Sequence, residues 1–426
     1  MANNVRRNFS TPVVPDDWTI ESMESIADIN CESLKGKTPK DFLFRYIDIS
    51  AVSKGCVNWG EVTEIDFGSS PSRARRVVQQ NDILLCTVRP GLQSHAFASW
   101  NRVDPIICST GFAVVRPKKG TDSRFLYHLI FSDAISAQLH RLECGTGYPA
   151  VNEGDVRFLE IPFPKLCEQE AIARVFDTVD IAIERTRTAI TTAEKLKRGL
   201  MQEALKRCSK RKSPVERLDK VAEIGSGVTL GRDLTGSATV ELPYLRVANV
   251  QDGFLDLDEI KTVKIKPSEI EKFSLATGDV LLTEGGDIDK LGRGAVWTGN
   301  ISPCLHQNHI FRVRADREKL EPHFLATLIG SEYGKRFFLR IAKRTTNLAS
   351  INKTQLSSFP VILPSLKEQE TIVSLLSCVD RIIQSKEAAH RSLEKLKRGL
   401  MQDLLTGRVR VKLPATTGNS VTRSRP

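Results

Sequence analysis

The sequence predicts an α+β protein: two mixed α/β globular domains, each followed by a long helix, with the helices paired as an intramolecular antiparallel coiled coil. Three observations carry that prediction. "EKLKRGLMQ" occurs twice, from Glu194 to Gln202 and from Glu394 to Gln402, an identity in register that marks an internal duplication. Its period of two hundred residues exceeds the roughly 20–50 residues of solenoid and propeller repeats, so the duplicated unit is close to a whole domain. Around each copy apolar residues recur at alternating four- and three-residue steps, and ahead of each lie shorter segments with strand-like alternation.

The first globular domain is placed at residues 1–165. Its segments "MESIADI" from Met23, "YIDISAVSKG" from Tyr46, "NDILLCTVRPG" from Asn81 and "AVNEGDVRFLEIPFP" from Ala150 have diverged counterparts further on. These are "LDKVAEI" from Leu218, "YLRVANVQDG" from Tyr244, "GDVLLTEGGD" from Gly278 and "SINKTQLSSFPVILP" from Ser350. The matched positions are mostly apolar and alternate, as in "YLRVANV" and "IFRVRA", which reads as a shared core of strands. Between the matches the two halves have almost nothing in common. One carries "RPGLQSHAFASWNRVDP" where the other carries "GGDIDKLGRGAVWTGNISPCLHQNH".

The first long helix is placed at 166–208. It follows Pro164 and opens with Glu168 and Glu170, which suit the positive end of a helix dipole, while basic residues crowd its far end. Its seam runs Ile172, Phe176, Val179, Ile183, Thr186, Ile190 and Ala193, then slips to Leu196 and Leu200. The basic linker "KRCSKRKSP", Lys206 to Pro214, leads to a second domain at 209–365. The second helix, 366–408, repeats the seam with Ile372, Leu376, Val379, Ile383, Lys386, His390, Leu393, Leu396, Leu400 and Leu404. Gly407 stands where a helix C-terminus favours glycine, and 409–426 is a tail. Such a 4-3 repeat is a coiled-coil seam. A helix of this length cannot bury its stripe on itself, whereas two in one chain can bury theirs on each other.

The balance of 62 Lys+Arg against 51 Asp+Glu gives a net charge of +11 and favours a polyanionic partner, most simply nucleic acid. "MANNVRRNFS" lacks the apolar core of a signal peptide, and no apolar run is long enough to span a membrane. Nine cysteines without a CxxC spacing fit buried thiols in a reduced, cytoplasmic compartment.

Motifs of nucleotide and cofactor chemistry are missing. There is no GxxxxGK[ST] and no GxGxxG after a strand, nor the Asn-Pro-Pro-aromatic motif of amino-methyltransferases. Cys304, His306 and His309 in "CLHQNH" have no fourth ligand in register for zinc. Nothing places Ser109, His95 and Asp104 in a relay. The reading is therefore of a chain with no catalytic residues, no metal and no cofactor of its own. What remains is polar and loop-borne. Candidate DNA contacts in the first domain are Arg73, Arg75, Arg76, Arg89, Gln93, His95, Thr146 and Tyr148. In the second they are Lys290, Arg293, His306, Gln307, Asn308, Arg344, Thr346 and Asn347. Arg and Lys suit guanine edges and phosphates, and Asn and Gln suit adenine. Two rivals stay open on the residues alone: a stand-alone DNA-modifying enzyme with an unfamiliar site, and a coiled-coil scaffold that never touches DNA.

"IPFPKLCEQEAI", "ILPSLKEQETIV" and the closing "LEKLKRGLMQDLLTGRVRV" resemble the signatures of the specificity subunits of type I restriction–modification systems, a bacterial defence. The resemblance extends over about residues 15–413. It implies that each domain is a target recognition domain reading one half of a bipartite, asymmetric double-stranded DNA site. It implies further that the coiled coil sets the spacing of the halves. Two methylation subunits would supply S-adenosylmethionine and adenine-N6 chemistry, and motor-nuclease subunits would supply ATP- and magnesium-dependent translocation and cleavage. This chain would then be the non-catalytic reader. It departs from the family pattern at Cys167, where the second copy has Lys367, and at Phe163, where leucine is commoner.

Overall fold

The computed structural model describes residues 14–100, 104–145, 147, 149–287, 291–344 and 348–413. The chain forms two compact units. One comprises Met1–Thr186 with Ala388–Pro426, the other Arg187–Glu387. Each therefore holds one globular domain and half of each long helix, the helices running Leu166–Lys210 and Leu366–Leu404.

In the first unit, two four-stranded sheets form the domain. One is antiparallel and orders Ala27–Ile29, Phe112–Pro117, Ile83–Cys86 and Ala96–Phe97. Its central strand "ILLC" is buried on both faces, which explains why it reads as a continuous apolar run rather than an alternating one. The other sheet orders Thr63–Asp66, Leu43–Ile47, Ile106–Ser109 and Ala74–Val78, with Leu43–Ile47 parallel to Ile106–Ser109. Thr19–Ser22 pairs with Glu160–Phe163 and ties the start of the domain to its end. Helix Ser123–Ile130 is capped by Asp122, whose carboxylate accepts from Phe125 N at 2.7 Å.

The second unit repeats this topology. Ala222–Ser226, Ile310–Ala315, Val280–Thr283 and Gly294–Val296 form the antiparallel sheet. Lys261–Ile265, Val240–Leu245 and Leu305–His306 form the other, again with one parallel pair. Among the described residues, the strand Ala74–Val78 of the first unit has no counterpart here.

In both units an early stretch of one helix meets a late stretch of the other, so the pairing is antiparallel. In the first unit Ile172, Phe176, Leu404 and Leu405 share one buried cluster, and Lys397 Nζ reaches Asp180 Oδ1 at 2.6 Å. In the second, Met201 and Leu376 share a cluster, and Lys197 Nζ reaches Asp380 Oδ1 at 2.5 Å. These two ion pairs are images of one another under the duplication.

Ile172, Phe176, Val179, Leu376 and Val379 are buried along the seam. Ile183, Ile190, Leu200, Ile372, Ile383, Leu393 and Leu400 are half-buried. The expected slip does not occur. After Ala193 the 4-3 repeat continues to Lys197, and Leu196 and Leu396 lie 53% and 50% exposed. A lysine serves at an inward position because its four-carbon stem packs while its ammonium reaches the facing aspartate. The second helix ends at Leu404, four residues short of the expected 408. The chain turns at Gly407, with φ at +71°, where a Cβ would collide with Pro15 at 2.5 Å.

Candidate nucleic-acid interface

In the first unit backbone bonds bring two of the candidate segments together. Thr110 N donates to Arg73 O at 2.8 Å, Thr87 N to Gly111 O at 2.9 Å, and Arg89 N to Pro149 O at 2.8 Å. Val88 and Cys144 both bridge to Ala150, so the turn after Ile83–Cys86 lies beside the segment that carries Thr146 and Tyr148. Those two residues themselves lie outside the described residues.

The candidates then divide by surroundings. Arg73 and Arg89 are exposed. Arg75 is half-buried over the Phe67 ring, 4.8 Å from its centroid, and donates to Ala74 O at 2.8 Å. Arg76 turns inward: it pairs with Glu153, donates to Ser33 Oγ at 3.1 Å, and has its Nε enclosed. Gln93 donates to Ser136 Oγ at 3.4 Å. His95 is 1% exposed, accepts from Cys86 N at 3.0 Å through Nδ1, and sets its ring edge-on to Phe131. Burial holds its pKa down at about 4. His95 is thus a neutral core residue beneath the turn, not a group that DNA can meet.

The second unit gives a parallel result. Gln307 N and Asn308 N bond Leu245 O at 2.9 Å and Val228 O at 3.0 Å, leaving both side chains half-buried at the end of the parallel pair. Thr283 N donates to Arg293 O at 3.0 Å, and Glu284 N to His309 O at 3.0 Å. The Arg293 side chain is half-buried, with its Nη1 on Gln251 Oε1 at 3.2 Å and its Nε enclosed. Lys343–Arg344 pairs with Leu348–Ser350, which pairs with Gly285–Asp287. That places the backbone of Arg344 beside the Gly-rich loop. Lys290, Thr346 and Asn347 lie outside the described residues.

His306, expected at the surface, is 0% exposed and donates from Nδ1 to Phe273 O at 3.3 Å. Burial, with a smaller push from Arg312, holds it down at about 4. Its place in a polar, divergent segment reads as loop-borne, but it ends the strand Leu305–His306 and is buried there. His309, next along and not among the candidates, is exposed and paired with Glu284 at 2.7 Å.

Sequence reading also missed the groups that fasten each domain to its helices. Gln169 is buried. Its carbonyl accepts from Asp122 N at 2.8 Å while its amide donates to Pro164 O at 2.8 Å. Gln369 does the same with Glu321 N at 2.8 Å and with Lys319 O and Pro364 O, both at 2.9 Å. The repeated "EQE" is the signal that could have found them. In the first unit alone, among the described residues, His128 donates from Nε2 to Asp177 Oδ1 at 2.9 Å beside Arg124, whose Nε donates to the same oxygen at 2.9 Å. Burial would raise the Asp177 carboxyl, but the bonds from His128 and Arg124 outweigh it and hold it at about 2.

Two domains of one topology, each ending in "EQE" and half of an antiparallel helix pair, define a duplicated recognition scaffold. The model of the type I restriction modification DNA specificity domain matches residues 15–194 and again 212–395. The chain belongs to that family and carries two copies of its domain. It is 33% identical over 165 residues to the putative type I restriction enzyme MjaX specificity subunit of Methanocaldococcus jannaschii, spanning 38% of this chain and only 39% of that subunit. It is 27% identical to the MjaVIII specificity subunit of the same organism, over 94% of each chain. A solved chain described in terms of complex assembly and conformational transition of the type I R-M system is 24% identical and has a TM-score of 0.57. It covers 93% of this chain and 99% of its own length, and it shares the fold.

Proposed function

We propose that this chain is the sequence-reading, non-catalytic subunit of a type I restriction–modification complex, each domain reading one half of a bipartite, asymmetric DNA site. One observation carries the reading. The two units keep the same antiparallel sheet, the same glutamine clasps and the same lysine–aspartate pairs, while the segments between the shared strands, "RPGLQSHAFASWNRVDP" against "GGDIDKLGRGAVWTGNISPCLHQNH", have almost nothing in common. A duplicated scaffold with divergent loops suits two readers of different targets.

In this reading the catalytic groups belong to partners. Two methylation subunits bring S-adenosylmethionine and transfer its methyl group to adenine N6. Motor-nuclease subunits bring ATP, magnesium, translocation and cleavage. The complex works on cytoplasmic DNA; among the described residues no helix is long and apolar enough to cross a membrane. Binding is largely electrostatic and weakens steeply with salt, with base contacts from the two loop sets selecting sequence.

The test is co-expression with the cognate methylation subunit and single-molecule sequencing of host DNA for modified adenines. One interrupted, asymmetric motif that disappears when this chain is omitted is the expected result. Methylation or cleavage by this chain alone would overturn the non-catalytic assignment.

A further inference from the structure

The strand Ile83–Cys86 leaves the first unit's core into "VRPGLQSH", residues 88–95. Arg89 and Gln93 both take left-handed backbone conformations, with φ at +47° and +51°, and Pro90–Leu92 forms a single 3-10 turn between them. Two non-glycine residues in that region persist only where the surroundings dictate the conformation. Here they do. Arg89 N is held by Pro149 O, Leu92 N donates to Arg89 O at 2.9 Å, and Gln93 N donates to Pro90 O at 2.9 Å. Val88 is bridged to Ala150, Gln93 reaches Ser136, and buried His95 is set edge-on to the half-buried Phe131 ring.

The side chains show what this support holds in place. Pro90 is buried, a Cβ on Gly91 would meet nothing within 4 Å, and Leu92 stands 62% exposed. A single exposed leucine is ordinary. An exposed leucine fixed at the tip of a strained, many-times-bonded turn, with an arginine and a glutamine at its two ends, is not. A leucine serving stability would fold under the turn, as Pro90 does. At the same point of the second unit the chain takes a different course, through the strand Gly285–Asp287 to a buried Leu291. This turn is therefore particular to the first reader.

We infer that Leu92 is a base-reading contact of the first domain and closes on the C5 methyl group of a thymine in its half-site. The inference rests on the DNA-specificity reading above. The thymine methyl is the apolar feature of the major-groove edge, and contact with an apolar side chain is how it is read. A turn already locked in place loses little conformational freedom on binding.

The experiment uses the chain assembled with its methylation subunit and duplexes carrying its mapped site. All thymines of each half-site in turn are replaced by uracil, which removes the C5 methyl and nothing else. Kd is measured at fixed salt for wild type and Leu92→Ala, with melting temperatures as a check on folding. Uracil in one half-site should weaken wild-type binding roughly fourfold, the worth of one buried methyl, and should leave Leu92→Ala binding unchanged. Leu92→Met, which keeps an apolar tip, should retain most of the uracil effect. Equal uracil effects in wild type and Leu92→Ala at both half-sites overturn the inference alone, as does a site without thymine. A wild-type complex with no sequence preference overturns the specificity reading as well.

Discussion

His95, in a divergent loop, and His306, at the end of the strand Leu305–His306, are both core residues, and their burial gives the stability a pH dependence of fixed sign. Each has its folded pKa held near 4 against roughly 6.5 when unfolded. Below about pH 6.5 the unfolded chain takes up protons that the native chain refuses, so stability falls as the pH drops from there toward 4. Each histidine contributes at most about 3 kcal/mol to that loss. Protonating His95 would also set an N–H against the Cys86 N–H that it now accepts. Melting temperature measured from pH 7 to 4 should fall, and the slope should lessen in His306→Asn; a slope identical in the variant would exclude this source. The arginines divide in the same way. Arg73→Ala should weaken DNA binding evenly across sequences and reduce the salt slope by about 1, with melting unchanged. Arg76→Ala should instead destabilise the protein by about 1–2 kcal/mol, because it leaves Glu153 and Ser33 without their partner. If titrations showed the two variants alike in both readouts, the division would be wrong.

At the level of helices and strands, the seam was largely legible because a 4-3 apolar repeat admits few other readings. It was misread at one place for a physical reason: Leu196 and Leu396 look like core and Lys197 and Lys397 like surface, until an aspartate on the facing helix reverses the choice. Phe176→Ala should accordingly cost about 3–5 kcal/mol and Leu196→Ala less than about 0.5 kcal/mol, as read by chemical denaturation. A large cost at Leu196 would restore the slipped register. Gln169 and Gln369 are more telling still. Each is fully buried and fills three roles for the backbone around it, so Gln169→Leu, of similar size, leaves Asp122 N and Pro164 O without partners. A loss of about 2–4 kcal/mol is expected, visible as early amide exchange in the helix Ser123–Ile130; unaltered exchange there would show the clasp to be idle. Many strand positions were legible from alternation, but Arg76 and His306, read as loop-borne, lie in the strands Ala74–Val78 and Leu305–His306 and turn inward. Burial of His306 and Arg76 depends on neighbours such as Phe273 and Glu153 that no local pattern names.

For the molecule as a whole, the duplication was plain from nine repeated residues, whereas the true partition was not. Consecutive boundaries at 165, 208 and 365 suggest parts laid end to end, but the contacts assign Ala388–Pro426 to the same unit as the first 186 residues. The fastening is specific. Arg410 donates from Nη1 to Asp17 at 2.7 Å and from Nε to Glu168 at 2.6 Å, while Trp18 Nε1 donates to the same Glu168 at 3.1 Å. Ending the chain after Leu404 should therefore loosen the first unit and spare the second, measurable as limited proteolysis confined to residues before 187. Cleavage spread equally over both units would contradict that partition. The arrangement also bears on synthesis. A ribosome makes the first domain before the second, yet that domain lacks its buried Leu404 and Leu405 and its Arg410 clasp until residues 404–410 are made. Residues 187–387, by contrast, form one continuous unit. The unit made first is thus the one finished second, and a message cut short between residues 388 and 404 yields a finished second reader beside an unfinished first.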